Sequence, residues 1–215
     1  MRLGIRIGSY GVLFYLGLCN NVAHSDTGPK IKSLIQMQMS GIERQTLDYS
    51  CGAASLAILL KHYFDEPIDE KGVLADIVAR LPKEQLAAKA VEGFSMRDLK
   101  RAAEHLGYSA DGLILDHESV FLLEGPVIIL LTRKNLNHFV VLKGVNQGKA
   151  FLADPTRGHI RIPLFELFEE WQGETLIVGR DHFGLPQHHR LRLPTGRPVA
   201  PELEALRSLR SIPIH

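Results

Sequence analysis

Gln45-Thr46-Leu47-Asp48-Tyr49-Ser50-Cys51-Gly52-Ala53-Ala54-Ser55-Leu56-Ala57 is the stretch on which the reading of this chain turns. From Cys51 onward the residues are small or aliphatic, and Leu56, Leu59, Leu60 and Tyr63 recur at helical spacing. The pattern predicts a helix over Cys51 to Phe64 with the cysteine at its start. A thiol there faces backbone N–H groups that no intrahelical carbonyl satisfies, and the positive end of the helix dipole. Both favour the thiolate, which is the nucleophilic form. The bland alternative is a buried packing cysteine, and the residues flanking Cys51 weigh against it.

The first residues set the cellular address. Arg2 and Arg6 make a positive start, and Ile7 to Leu18 is a mostly apolar run of about twelve residues. That is short for a membrane span and right for an export signal. Ala23-His24-Ser25 supplies small residues on both sides of a cleavage position, so residues 1–25 read as a signal peptide and Asp26 as the start of an exported, periplasmic protein. Leu16-Gly17-Leu18-Cys19 has the outline of a lipoprotein signal, but Leu18 is bulky where a small residue is needed. An uncleaved anchor is the alternative that would keep the chain on a membrane. Export changes the meaning of the two cysteines: Cys19 leaves with the signal, and Cys51 remains as a single thiol in an oxidising compartment.

Removal of residues 1–25 leaves 190 of the 215 residues, enough for one domain with a substantial core. It also leaves 23 basic against 24 acidic residues, a nearly balanced charge. There is no basic run, and aromatic residues are only 7% of the chain, so nothing points to nucleic acid. No internal repeat or low-complexity block is present.

Residues 26–41 read as a polar, weakly ordered lead-in. Lys71 to Leu81 carries Val73, Leu74, Ile77, Val78 and Leu81 at helical spacing and stops at Pro82. Ser95-Met96-Arg97-Asp98 resembles a capping box that opens a helix to His105, closed by Gly107. The character then changes to strands at Pro126–Thr132, His138–Val145, Lys149–Ala153, Gly158–Ile162 and Glu174–Val178, with one helix from Pro163 to Trp171. Their short connections favour antiparallel pairing. Helices first and strands after give an α+β domain over residues 42–180. Residues 181–215, rich in Pro and Arg, read as a tail.

A cysteine peptidase needs a thiolate, a histidine to move protons, a group to orient that histidine, and donors for an oxyanion. Cys51 supplies the first. His62 and His105 sit on predicted helices, where solvated or capping roles are expected. His117 and His159 read as surface residues, and His182, His188 and His189 as a tail cluster without acidic or cysteine partners at metal-ligand spacing. No metal and no other cofactor is expected. His138 opens a strongly apolar strand after a polar loop, a rigid place from which to present an imidazole. Asp154 ends the next strand of the same hairpin, where its carboxylate can accept from that imidazole; as an Asp before Pro it also reads as a plain turn starter. Gln45 can donate its side-chain amide to an oxyanion alongside the backbone N–H of Cys51.

Gln45, the run Cys51-Gly52-Ala53-Ala54-Ser55, Gly125-Pro126-Val127-Ile128, His138-Phe139-Val140-Val141-Leu142, Ala153-Asp154-Pro155 and Trp171-Gln172-Gly173 together resemble the bacteriocin-processing, double-glycine cysteine peptidases of the papain clan. The resemblance covers about residues 42–179. It implies a papain-like fold, thiol endopeptidase activity on a polypeptide substrate, and catalytic roles for Cys51, His138, Asp154 and Gln45. Transporter-linked members often carry Asp where this chain has Ser50. The layout of export signal, lone peptidase domain and Pro/Arg tail is similar to the periplasmic peptidases of functional-amyloid operons, which implies amyloid subunits or outer-membrane secretion components as partners. A non-catalytic peptide-binding or chaperone domain on the same fold is the second class of function.

Overall fold

A computed structural model describes residues 33–193, apart from residues 135 and 187. The expected export signal and residues 194–215 of the tail lie outside the described residues. Within the expected lead-in there is order: α1 (Leu34–Gln38) begins at Ser33 with a capping box closed by Gln36, and exposes Leu34, Ile35 and Met37.

The helical part contains α2 (Cys51–Tyr63), α3 (Glu70–Arg80), α4 (Lys83–Glu92) and α5 (Met96–His105). In α2 every residue except Lys61 is buried. The helix is central rather than amphipathic, which is why small residues line the side opposite its leucines. α5 begins with the expected Ser95–Asp98 capping box. α4 was not expected, because it has no apolar stripe and none of its residues is buried.

The strands are β1 (Ser109–Ile114), β2 (Val127–Arg133), β3 (Leu136–Asn146), β4 (Lys149–Asp154), β5 (Gly158–Pro163) and β6 (Trp171–Gly179), with α6 (Leu164–Glu170) before the last. They form one antiparallel sheet in the order β1-β6-β2-β3-β4-β5. β1 does not show in the sequence pattern: Ser109-Ala110-Asp111-Gly112 has poor strand propensity, and it is extended because it pairs along its length with β6. Alternate residues of the sheet feed two cores. Ile128, Phe139, Val141, Ala153 and Leu176 pack with α2, α3 and α5. Ile129, Leu131, Val140, Leu142 and Leu152 pack with Leu167 of α6 and Trp171. The described part of the tail lies on the first core, where Leu191 is buried and Phe183 packs against Tyr63 and Phe64. No helix among the described residues is long and apolar enough to cross a membrane.

Candidate active site

The N-terminus of α2 meets the start of β3, and this contact is built from three small features. Gly52 allows the close approach, since a Cβ there would come within 3.0–3.2 Å of Leu99 and Phe139 side-chain atoms. One turn along α2, the buried Ser55 hydroxyl donates to the Phe139 carbonyl at 2.9 Å. Phe139 follows His138, so this bond sets the imidazole's strand against the helix that carries Cys51. Ser50, the residue before α2, does not cap the helix with its side chain, so its hydroxyl leaves the first helical N–H groups unoccupied.

Cys51 is 9% exposed. Burial opposes its ionisation. Hydrogen bonds from His138 and from the backbone N–H groups of Phe139 and Gly52, together with the imidazolium charge, outweigh that cost and hold the thiol below its ordinary pKa. Burial likewise disfavours charge on His138, but hydrogen bonds to Asp154 and Cys51 and the negative charges on both push it up to about 9. Its Nε2 donates to Asp154 Oδ1 at 3.0 Å. Asp154 is fully buried, which by itself would favour the neutral acid. His138, Arg157 and the Thr156 N–H hold the carboxyl well below the usual carboxylate range instead. The Arg157 guanidinium donates to Oδ2 at 2.7 Å, and the Thr156 N–H donates to Oδ1 at 2.7 Å. The structure thus brings the three expected residues Cys51, His138 and Asp154 together, with His138 hydrogen-bonded to Asp154 and acting on the Cys51 thiol. Thiol and imidazole titrate as a pair, and the opposite shifts of the two, Cys51 down and His138 up, both favour the thiolate–imidazolium form.

Gln45 is placed differently. It is half-exposed, its amide nitrogen donates to the Leu47 carbonyl at 3.2 Å, and its carbonyl oxygen accepts from the Thr156 hydroxyl at 3.0 Å. It is thus fastened to the turn after Asp154, and its second amide N–H has no partner among the described residues. Beside Cys51 lies an open groove of about 540 Å³, lined by the apolar Phe94, Met96, Leu130 and Phe139 and by the polar Asp48, Glu92, Ser95 and Asn137. The α4–α5 loop supplies one wall, from an unanticipated helix.

The remaining histidines lie outside this group, and two differ from expectation. His62 is buried, 5% exposed, with neither ring nitrogen hydrogen-bonded among the described residues. It faces the core because α2 is enclosed on nearly all sides. His159 is half-buried rather than on the surface, and its burial, with the nearby Lys143 and His62 charges, pushes its pKa down to about 4. His105 bonds to Asp76 on the surface, and His117 stacks on Phe168. Arg157, Ser55 and Thr156 do not stand out in the sequence. Arg157 has a local signal, three residues beyond Asp154 in a turn; Ser55 and Thr156 act across long separations in the chain.

A profile of the Peptidase C39 family matches residues 40–182 of this chain. The chain belongs to the Peptidase C39 family. It is 32% identical over 149 residues to a protein of Pseudomonas aeruginosa described as a probable functional amyloid protease, FapD, covering 69% of this chain and 65% of that one. A second protein of that description, from Pseudomonas fluorescens, is 27% identical over the same shares. The chain thus spans less than two thirds of the length of these relatives. The lactococcin-G-processing and transport ATP-binding protein LagD of Lactococcus lactis subsp. lactis is 28% identical over 142 residues, 65% of this chain and 19% of LagD. Among solved structures, the peptidase domain of Streptococcus ComA superposes with a TM-score of 0.54 at 20% identity, covering 64% of this chain and 96% of that domain. A double glycine motif protease from an AMS/PCAT transporter, solved with its leader peptide, gives 0.52 at 28% identity, covering 64% and 89%. The α+β fold is that of these papain-like peptidase domains.

Proposed function

We propose that this protein is an exported thiol endopeptidase that cleaves a secreted or periplasmic polypeptide in functional-amyloid secretion. The observation that carries the reading is the grouping of Cys51, His138 and Asp154 at the N-terminus of a buried helix, beside an open groove of mixed polar and apolar lining. The likeness to the FapD proteins supports the amyloid context. Amyloid subunits and outer-membrane secretion components are the partners this reading names.

In the mechanism, the Cys51 thiolate attacks the scissile carbonyl carbon, and the carbonyl π electrons move onto oxygen. The backbone N–H of Cys51 and the free amide N–H of Gln45 donate to that oxyanion. Collapse of the intermediate breaks the C–N bond while the His138 imidazolium gives its proton to the departing amine. A thioester on Cys51 remains. Neutral His138 then takes a proton from water, hydroxide adds to the thioester, and the acid product leaves as the thiolate–imidazolium pair re-forms. Asp154 holds the imidazole orientation and stabilises its charged form throughout. The lowered pKa of Cys51 favours this reading over a binding domain with an unused thiol.

The test is co-expression of the full chain, or of Cys51→Ala, with each candidate secreted polypeptide, followed by mass spectrometry of fragments. Fragments with the wild type and none with a folded Cys51→Ala are expected. Cleavage by Cys51→Ala at the wild-type rate would remove Cys51 from the reaction. N-terminal sequencing of the periplasmic form should begin between His24 and Asp26. An intact Met1 on membrane-bound protein would support an anchor instead.

A further inference from the structure

We propose that Glu70 is a positioning residue that locks Gln45 to Cys51, so that the side-chain donor and the nucleophile present themselves to one carbonyl. The role rests on the peptidase reading above and deepens it. Glu70 is the first residue of α3, far from the cysteine in sequence, and is 2% exposed. Its Oε1 accepts from the Thr46 backbone N–H at 2.8 Å and from the Ser50 hydroxyl. Thr46 follows Gln45, and Ser50 precedes Cys51. One carboxylate oxygen therefore holds both ends of the segment that separates the two site residues.

The segment is closed internally as well. Ser50 N–H and the Gln45 amide both donate to the Leu47 carbonyl, at 3.1 and 3.2 Å, and the Leu47 N–H donates to the Ser50 hydroxyl at 3.2 Å. The Ser50 hydroxyl also lies 2.8 Å from the Leu47 carbonyl. Having one proton, it donates to either that carbonyl or Glu70 at a given moment; of these two acceptors Glu70 lies outside the segment, while Gln45 is held separately by its backbone N–H to the Pro155 carbonyl and by the Thr156 hydroxyl.

Stability alone does not account for this carboxylate. Its second oxygen, Oε2, is buried with no hydrogen-bond partner among the described residues. A buried acid left half-satisfied is costly, and an apolar side chain of similar volume would fill the space without that cost. The N-terminus of α3 offsets part of the charge. What an apolar residue could not do is accept from Thr46 and Ser50 together. Ser50 is matched to this brace: an Asp at position 50 would set a second carboxylate against Glu70, where this chain has a hydroxyl that donates.

The test uses the full chain and two reagents for Cys51. N-Acetylglycine p-nitrophenyl ester acylates the thiolate: the C–S bond forms, an oxyanion develops, and p-nitrophenolate leaves. Iodoacetamide alkylates the same thiolate by displacing iodide and builds no oxyanion. Glu70→Leu should slow acylation by about 10- to 100-fold and leave alkylation within about threefold. Glu70→Gln keeps a carbonyl acceptor and should recover most of the acylation rate. The deciding comparison is Gln45→Ala with and without Glu70→Leu. If Glu70 acts through Gln45, the double variant acylates no more slowly than Gln45→Ala alone, within about threefold. Independent, multiplying losses would overturn the role, as would alkylation falling in step with acylation. Should Glu70→Leu not fold, Ser50→Ala removes one of the two donors and takes its place in the comparison with Gln45→Ala: no further loss supports the role, and multiplying losses overturn it. Equal acylation of wild type and Cys51→Ala would overturn the peptidase reading and this role with it, whereas normal wild-type acylation with multiplying losses would overturn the role of Glu70 alone.

Discussion

Replacing Asp154 by Asn probes the electrostatic part of the site. Asn keeps the shape and one carbonyl oxygen, which can still accept from His138 Nε2–H and from the Thr156 and Arg157 backbone N–H groups that Asp154 Oδ1 serves. What is lost is the negative charge and, at the Oδ2 position, the acceptor for the Arg157 guanidinium, which would meet the Asn NH2 group instead. The His138 side chain is 26% exposed, and its pKa is raised from 6.5 to about 9. That interval corresponds to roughly 3 kcal/mol favouring the imidazolium. Asp154 and Cys51 are its two sources, and the hydrogen bond to Asp154 is the larger contribution. Burial works against the charged form, so the two together supply more than that interval. Asp154→Asn should therefore bring the His138 midpoint well down from about 9 and lower kcat by roughly ten- to a hundredfold, with KM little changed. The midpoint is read by NMR titration of the ring C–H signals, with His138 identified by its loss in His138→Ala. Folding stability follows the same sign. A raised histidine pKa stabilises the fold fully below about 6.5, and that contribution disappears as pH rises through about 9. Wild type should thus lose stability on this alkaline side, and Asp154→Asn should show a smaller loss there. A His138 midpoint within about 0.3 of wild type, with turnover reduced, would refute the reasoning and make Asp154 a purely steric support.

Two further outcomes are expected. Gln45→Ala should lower kcat by about a hundred- to a thousand-fold with KM little changed, as loss of one oxyanion donor does; a raised KM with kcat intact would make Gln45 a binding residue. Gly173 lies in β6 with φ +100, and a Cβ there would come within 2.3 Å of the Leu115 backbone oxygen. Gly173→Ala should cost at least about 3 kcal/mol and lower Tm by roughly 6–12 °C, measured by thermal unfolding monitored by circular dichroism.

Where sequence and structure agree, the signal is local. Helix α2 starts at Cys51 because the residues from there on are good helix formers with apolar side chains at a helical period. The Ser95–Asp98 box opens α5 because both of its hydrogen bonds close within one turn. His138 and Asp154 come together because β3 and β4 are joined by a tight turn, so one hairpin brings its strand ends close. Order along the chain was enough to bring out Cys51, His138 and Asp154, and to anticipate an antiparallel sheet after helices. Only the tertiary structure decided how these pieces are held. β1 is a strand because β6, distant in sequence, offers it a partner, and α4 forms without a buried face to betray it. Ser55 reaches the Phe139 carbonyl, Thr156 holds Gln45, and Glu70 gathers Thr46 and Ser50, each across a separation that no period or spacing encodes. A hydrogen bond between residues a turn apart is written in adjacent letters. One between residues brought together by packing depends on the whole core, and the carboxylate behind Gln45 and Cys51 is visible only once that core has closed around it.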